Sequence, residues 1–204
     1  MRVRPLALLF PLLLVAADAR AEAAVRWPVP AVGLMAADAA AAAPPDFKRM
    51  LAKNSGRLME GVKAGLAASP NRDAAARRAA LAAGTRRIAQ GIRDHRPFAD
   101  VAYEAGGLVA EASLLYPPAG TDSSDAALLA MARSGSSFLG FSPRPFDAPE
   151  TLVDARFPAA SAREAYDSGL TLSARLLAWI WNTAGGDASV ATKRPESKGP
   201  YPVR

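Results

Sequence analysis

Apolar residues return every three or four positions along most of this chain, and no stretch alternates apolar and polar residues with period two. The first spacing is that of helices with one buried face; the second would mark half-buried strands. VGLMAADAAAAA, residues 32–43, is rich in the best helix former and stops at Pro44-Pro45. Asp46 suits the N-cap of the next stretch, where Phe47, Met50, Leu51, Leu58, Met59 and Val62 repeat with helical spacing across a gap near Asn54-Ser55. Lys and Arg take the opposite side. Ser69-Pro70-Asn71 reads as a turn. Residues 72–93 form a further helical stretch, with an interruption expected near Gly84. Pro97 opens another that runs to Leu115 and ends before Pro117-Pro118. A short helix is expected over 125–133, and SGSSFLGFSPRPFDAPETL, residues 134–152, reads as loop. A long helix covers 159–183, with Tyr166, Leu170, Ser173, Leu177, Ile180 and Trp181 on its buried face and Gly185-Gly186 closing it. The fold class expected is all-α, a single bundle-like domain.

The two ends read differently. Residues 1–23 place Arg2 and Arg4 before an apolar run from Pro5 to Ala17, followed by small residues at Ala19, Ala21 and Ala23. That order is the order of a secretory signal peptide. The run is about a dozen residues, short of the roughly 20 that span a bilayer. No transmembrane segment is expected elsewhere. The helical domain then covers 24–186. Residues 187–204 are polar and proline-rich and read as a disordered tail.

Composition narrows the chemistry. There is no cysteine, so a disulfide and a thiolate metal site are both ruled out. The formal charge is +6; residues 1–23 hold three arginines and two acids, so the remainder carries +5. An anionic surface is one partner this charge suits, and another exported protein is the other. The basic residues are spread over several segments with no aromatics between them, and no nucleic-acid motif is present. The chain has one histidine, His95, which constrains acid–base and zinc chemistry, since both lean on that side chain.

Four stretches together resemble one family, the zinc-dependent phospholipase C and single-strand nuclease superfamily. They are Trp27 with the helix and proline break after it; PPDFKRMLAKNSGRLMEGVKAGLAASPNRD; RPFADVAYEAGGLVAEASLLYPPAG; and FPAASAREAYDSGLTLSARLLAWIWNTAG. The resemblance implies a secreted all-α fold and, in the family, a three-zinc cluster that cleaves phosphate esters. The family's ligand positions fall here on Trp27, Val32, Asn71, Ala110, Leu114 and Gly120. Zinc takes N, O or S donors from His, Asp, Glu or Cys. None of these six residues is one, so the resemblance implies the frame without the zinc ligands, and no cofactor is expected. The GGLVAEASLL stretch looks like the family's central metal helix with its ligands replaced by small or apolar residues.

Other candidates have plain readings. Asp100, Glu104 and Glu111 suit a hard-cation patch, or more simply a solvated helix face paired loosely with arginines. His95 reads as a polar loop residue. Tyr166, Trp179 and Trp181 read as core and surface cover. Arg77-Arg78 and Arg86-Arg87 stand nine apart, which places the pairs on opposite sides of a helix and argues against one phosphate clamp. The expected function is non-catalytic, binding or structural. The alternatives are a divergent phosphate-ester hydrolase and an unrelated helical export protein acting through partners.

Overall fold

The computed structural model describes residues 26–68, 72–119, 124–135 and 148–186, and these form eight helices with no strand among them. In chain order they are α1 Val29–Ala42, α2 Pro45–Lys53, α3 Ser55–Ala68, α4 Ala74–Arg93, α5 Phe98–Leu115, α6 Asp125–Arg133, α7 Pro149–Asp154 and α8 Ala162–Thr183. The all-α class is therefore as expected. The turn at 69–71 and the two terminal segments lie outside the described residues.

Several boundaries move, each for a local reason. α1 begins at Val29, three residues earlier than its alanine run, because Pro30 fits the first turn, where its missing N–H is not needed. Asp46 is not the N-cap of α2. Pro44 holds that position, and Asp46 sits in the first turn and pairs with Arg49. Gly84 does not interrupt α4, which runs unbroken for 20 residues from an Asp73 cap whose carboxylate accepts from the Ala76 N–H at 2.7 Å. Part of the expected loop is helix, since Pro149 starts α7. α8 starts at Ala162, where Ser161 accepts from the Glu164 N–H at 3.2 Å and Glu164 accepts from the Ala160 N–H at 2.8 Å. That is a capping box shifted by one residue. Gly185, at φ 93°, ends α8 in a left-handed turn as its sequence suggested.

α3 and α5 make the closest contact in the molecule. A Cβ placed on Gly61 would lie 1.9 Å from the Tyr103 carbonyl oxygen, and one on Gly106 would lie 2.0 Å from the Leu58 carbonyl oxygen. Gly61 meets Tyr103 and Gly107, and Gly65, one turn on, meets Gly107 and Ala110, so the two helices advance in the same sense. Backbone lies directly on backbone. Against this pair, α4 lies antiparallel to α5, with Arg77 opposite Glu111 and Arg87 opposite Glu104.

α8 is the central helix. The sequence pattern expects one buried face, yet burial covers nearly its whole circumference, including Asp167, Ser168, Thr171, Leu172, Ser173, Ala174 and Leu176. Only Trp181, of the residues expected inside, remains half-buried. The hydroxyls are tolerated inside because each is bonded. Thr171 Oγ1 donates to the Asp167 carbonyl at 2.7 Å, Ser173 Oγ to the Gly169 carbonyl at 2.7 Å, and Ser168 Oγ to the Pro158 carbonyl. One core cluster joins Trp27, Met35, Phe47, Leu58, Val109, Leu128, Val153 and Tyr166 through Ile180.

The α3–α5 contact sets a test. Gly106→Ala is expected to cost about 3 kcal/mol or more, because a methyl would have to displace main chain and not a side chain. Gly56→Ala, whose Cβ meets nothing within 4 Å, should instead gain about 0.5 kcal/mol. Urea unfolding midpoints of the two variants read the difference.

Candidate functional site

Trp27 is buried, 3% exposed, and its indole Nε1 donates to the Tyr116 carbonyl at 2.8 Å. Tyr116 caps the C-terminal end of α5, where helix carbonyls lack intrahelical donors, and the indole supplies one of them. The Trp27 ring also stands edge-on to Tyr166, centroids 5.7 Å apart at 72°. Trp27 is thus a plug that fastens the chain before α1 to α5 and α8.

The other positions matched to zinc ligands are packing residues where they are described. Val32 on α1 and Ala110 on α5 are fully buried. The Ala110 methyl faces Gly65 of α3. Leu114, expected to suit a dry core, is only half-buried near the end of α5. Asn71 and Gly120 lie outside the described residues. These residues do not fit a zinc cluster. Val32, Ala110 and Leu114 carry no side-chain atom that zinc would take, and the Trp27 indole N–H is a hydrogen-bond donor with no lone pair to offer. Among the described residues, no group of three or more His, Cys, Asp or Glu stands close enough to hold a metal ion.

The carboxylates of α5 are not the loosely paired, solvated face expected of them. Glu111 is buried and takes Arg77 at 3.0 Å on one oxygen and Arg72 at 2.9 Å on the other. Arg77 is itself buried, with a side chain 7% exposed. Glu104 is shared by Arg87 at 3.0 Å and Arg96 at 2.8 Å. Asp100, in the first turn of α5, lies 4.0 Å from Arg57 of α3. The three carboxylates therefore answer separate arginines and do not converge on a cation. Periodicity missed this because the solvent that 104 and 111 would otherwise meet is displaced by α4, a tertiary contact.

The four arginines of α4 make no single clamp, but the division runs within each adjacent pair and not between the pairs: Arg77 and Arg87 turn to α5, Arg78 and Arg86 to α7. Arg77 pairs with Glu111, Arg78 with Asp154 at 3.9 Å, Arg86 with Glu150, and Arg87 with Glu104. His95 is exposed at φ 56°, in the left-handed position after α4. Its N–H donates to the Ile92 carbonyl at 3.1 Å and the Arg96 N–H to the Gly91 carbonyl at 3.0 Å. That is the Schellman pattern, so His95 ends a helix. Trp181 stacks on Phe47, centroids 5.2 Å apart at 12°, and serves as cover over the core.

One polar pair was not picked out by any sequence motif. Tyr166 Oη is buried with no hydrogen-bond partner among the described residues. Burial raises its pKa, and the charge of Asp38 on α1 adds to the rise. Asp38 is half-buried, and desolvation alone pushes its carboxyl from 3.8 up to about 6. No family model, curated protein or solved structure matches this chain.

Two measurements follow from these charges. The folded chain holds the Asp38 proton more tightly than the unfolded chain does, so stability falls as pH rises from 3.8 to about 6 and stays lower above. Asp38→Asn removes that penalty. Its melting temperature should exceed the parent's at pH 7.5, by about 2 kcal/mol in stability, and the gain should vanish near pH 4. Glu111→Ala strands the buried Arg77 guanidinium and is expected to cost about 3–5 kcal/mol. Glu60→Ala, which breaks the exposed pair with Arg57, should change stability by less than about 1 kcal/mol in the same urea titration.

Proposed function

We propose that this is an exported all-α protein that binds or braces and does not catalyse, on a frame similar to the zinc-dependent phospholipase C and nuclease superfamily. The observation that carries the reading is the chemistry at the positions the resemblance picks out. Val32 and Ala110 bring hydrocarbon into the core, and the Trp27 indole, a donor-only group, is packed against Tyr116 and Tyr166. The acidic residues that a metal-assisted hydrolase would use, Glu104 and Glu111, are neutralised by arginines. Export rests on Arg2, Arg4 and the apolar run to Ala17. The superfamily frame rests on sequence outline; the non-catalytic reading stands on the side chains themselves.

Elemental mass spectrometry of the purified protein after dialysis against zinc tests this, with thermal melting beside it. The expected result is less than stoichiometric zinc and no shift of the melting temperature. Stoichiometric zinc that raises the melting temperature would overturn the reading and return the phosphodiesterase assignment.

A further inference from the structure

The sequence spreads its basic residues over several segments, but the fold does not leave them equally available. Every lysine among the described residues, Lys48, Lys53 and Lys63, lies on α2–α3, and all three are exposed. None takes part in an ion pair among the described residues, whereas each of the four α4 arginines discussed above meets a carboxylate. Arg49 and Arg57 share that outer face, where Asp46 answers Arg49, and Glu60 and Asp100, the latter at 4.0 Å, answer Arg57. The face thus carries five cations against three carboxylates. The remaining described residues carry twelve cations against ten carboxylates. Half of the net charge of the described residues therefore sits on this one face, and its three lysines are the part that no carboxylate among the described residues answers.

The geometry of that side is set by the core contact beneath it. Phe47, Leu51, Leu58, Gly61 and Val62 are buried, with Gly61 pressed on α5. This fixes Lys48, Arg49, Lys53, Arg57 and Lys63 outward. Ala52, Ser55 and Gly56 stand exposed between them. The Leu58 N–H donates to the Asn54 carbonyl at 3.0 Å, so the break between the two helices is a single residue long.

We propose that the α2–α3 face docks on an anionic phospholipid surface. This deepens the binding reading above by naming its partner. Lysine ammoniums are compact point charges that suit a diffuse field of headgroups, while arginine forks suit individual bidentate phosphates. The face exposes no aromatic on which a nucleic-acid base would stack; the only large apolar side chain exposed among the described residues is Val29. No helix among the described residues is long and apolar enough to cross a membrane. Attachment is therefore electrostatic, reversible and salt-sensitive.

The experiment is co-sedimentation of the whole protein with vesicles of about 30% phosphatidylglycerol in phosphatidylcholine, which reproduce an anionic leaflet. Binding is expected at low salt, lost in pure phosphatidylcholine and weakened by roughly tenfold or more when salt is raised well above physiological strength. Each cation near such a surface is worth about fivefold in affinity, so Lys53→Glu with Lys63→Glu should lose about 25-fold or more. Arg133→Glu with Arg156→Glu makes the same charge change at exposed positions elsewhere and should lose less than about threefold. All four residues are exposed, and an unchanged thermal melt confirms that both variants fold. No binding to the anionic vesicles at low salt overturns the proposal, as does equal loss in the two double variants. Tighter binding of a single-stranded oligonucleotide than of vesicles through the same lysines also overturns it. A failure here leaves the zinc measurement untouched, and stoichiometric zinc leaves the vesicle result to be read separately.

Discussion

The rest of this fold depends on two helices touching through their main chains. Gly61 and Gly106 each present bare backbone to a carbonyl of the other helix, at separations where no side chain fits. Such an approach gains dispersion contacts over a long seam and fixes the helices against sliding. α4 then packs along α5, and the charges of that hairpin, Arg77 with Glu111 and Arg87 with Glu104, can be paired because α5 is already held. α8 closes the assembly against α1, α4, α5, α6 and α7. Moving α3 outward would carry α5 with it, and α5 also packs on α1, α4 and α8.

That seam also explains where polar groups are allowed. Ser113, Thr85, Thr171 and Ser173 lie inside and return their hydroxyls to carbonyls of their own helices, each at 2.7 Å. They behave as small apolar residues with a private hydrogen bond. Glu111 and Arg77 are the charged version of the same solution, two-sided and buried. Tyr166 Oη is the exception among the buried hydroxyls, without a partner among the described residues, and the half-buried Asp38 carboxyl adds to the rise of its pKa.

Much of the helix inventory was legible in the sequence, because three- and four-residue spacing is a local signal. Asp125–Arg133 coincides with α6 and Leu115 ends α5 as expected. What escaped was tertiary. Gly84 has the look of a breaker in a sequence, and only the neighbouring α5 shows why α4 continues through it. Ser168 and Thr171 look like an exposed polar face until their carbonyl partners are seen. Glu104 and Glu111 look solvated until α4 covers them. At the candidate site, the absence of ligand-type side chains at Val32, Ala110 and Leu114 was plain from the residues alone. The indole bond that gives Trp27 its role was not, since its acceptor lies 89 residues away. The gathering of unpaired lysines was hidden for the same reason, because pairing is decided by carboxylates distant in the chain.

The placement of the lysines has a consequence for handling the molecule. Lys48, Lys53 and Lys63, the lysines of the described residues, all lie on α2–α3. An amine-directed label that reacts with them therefore reports on that helix pair, and α1 and α4 to α8 stay unlabelled along their whole length. A fluorophore attached there is a local probe of the seam between α3 and α5.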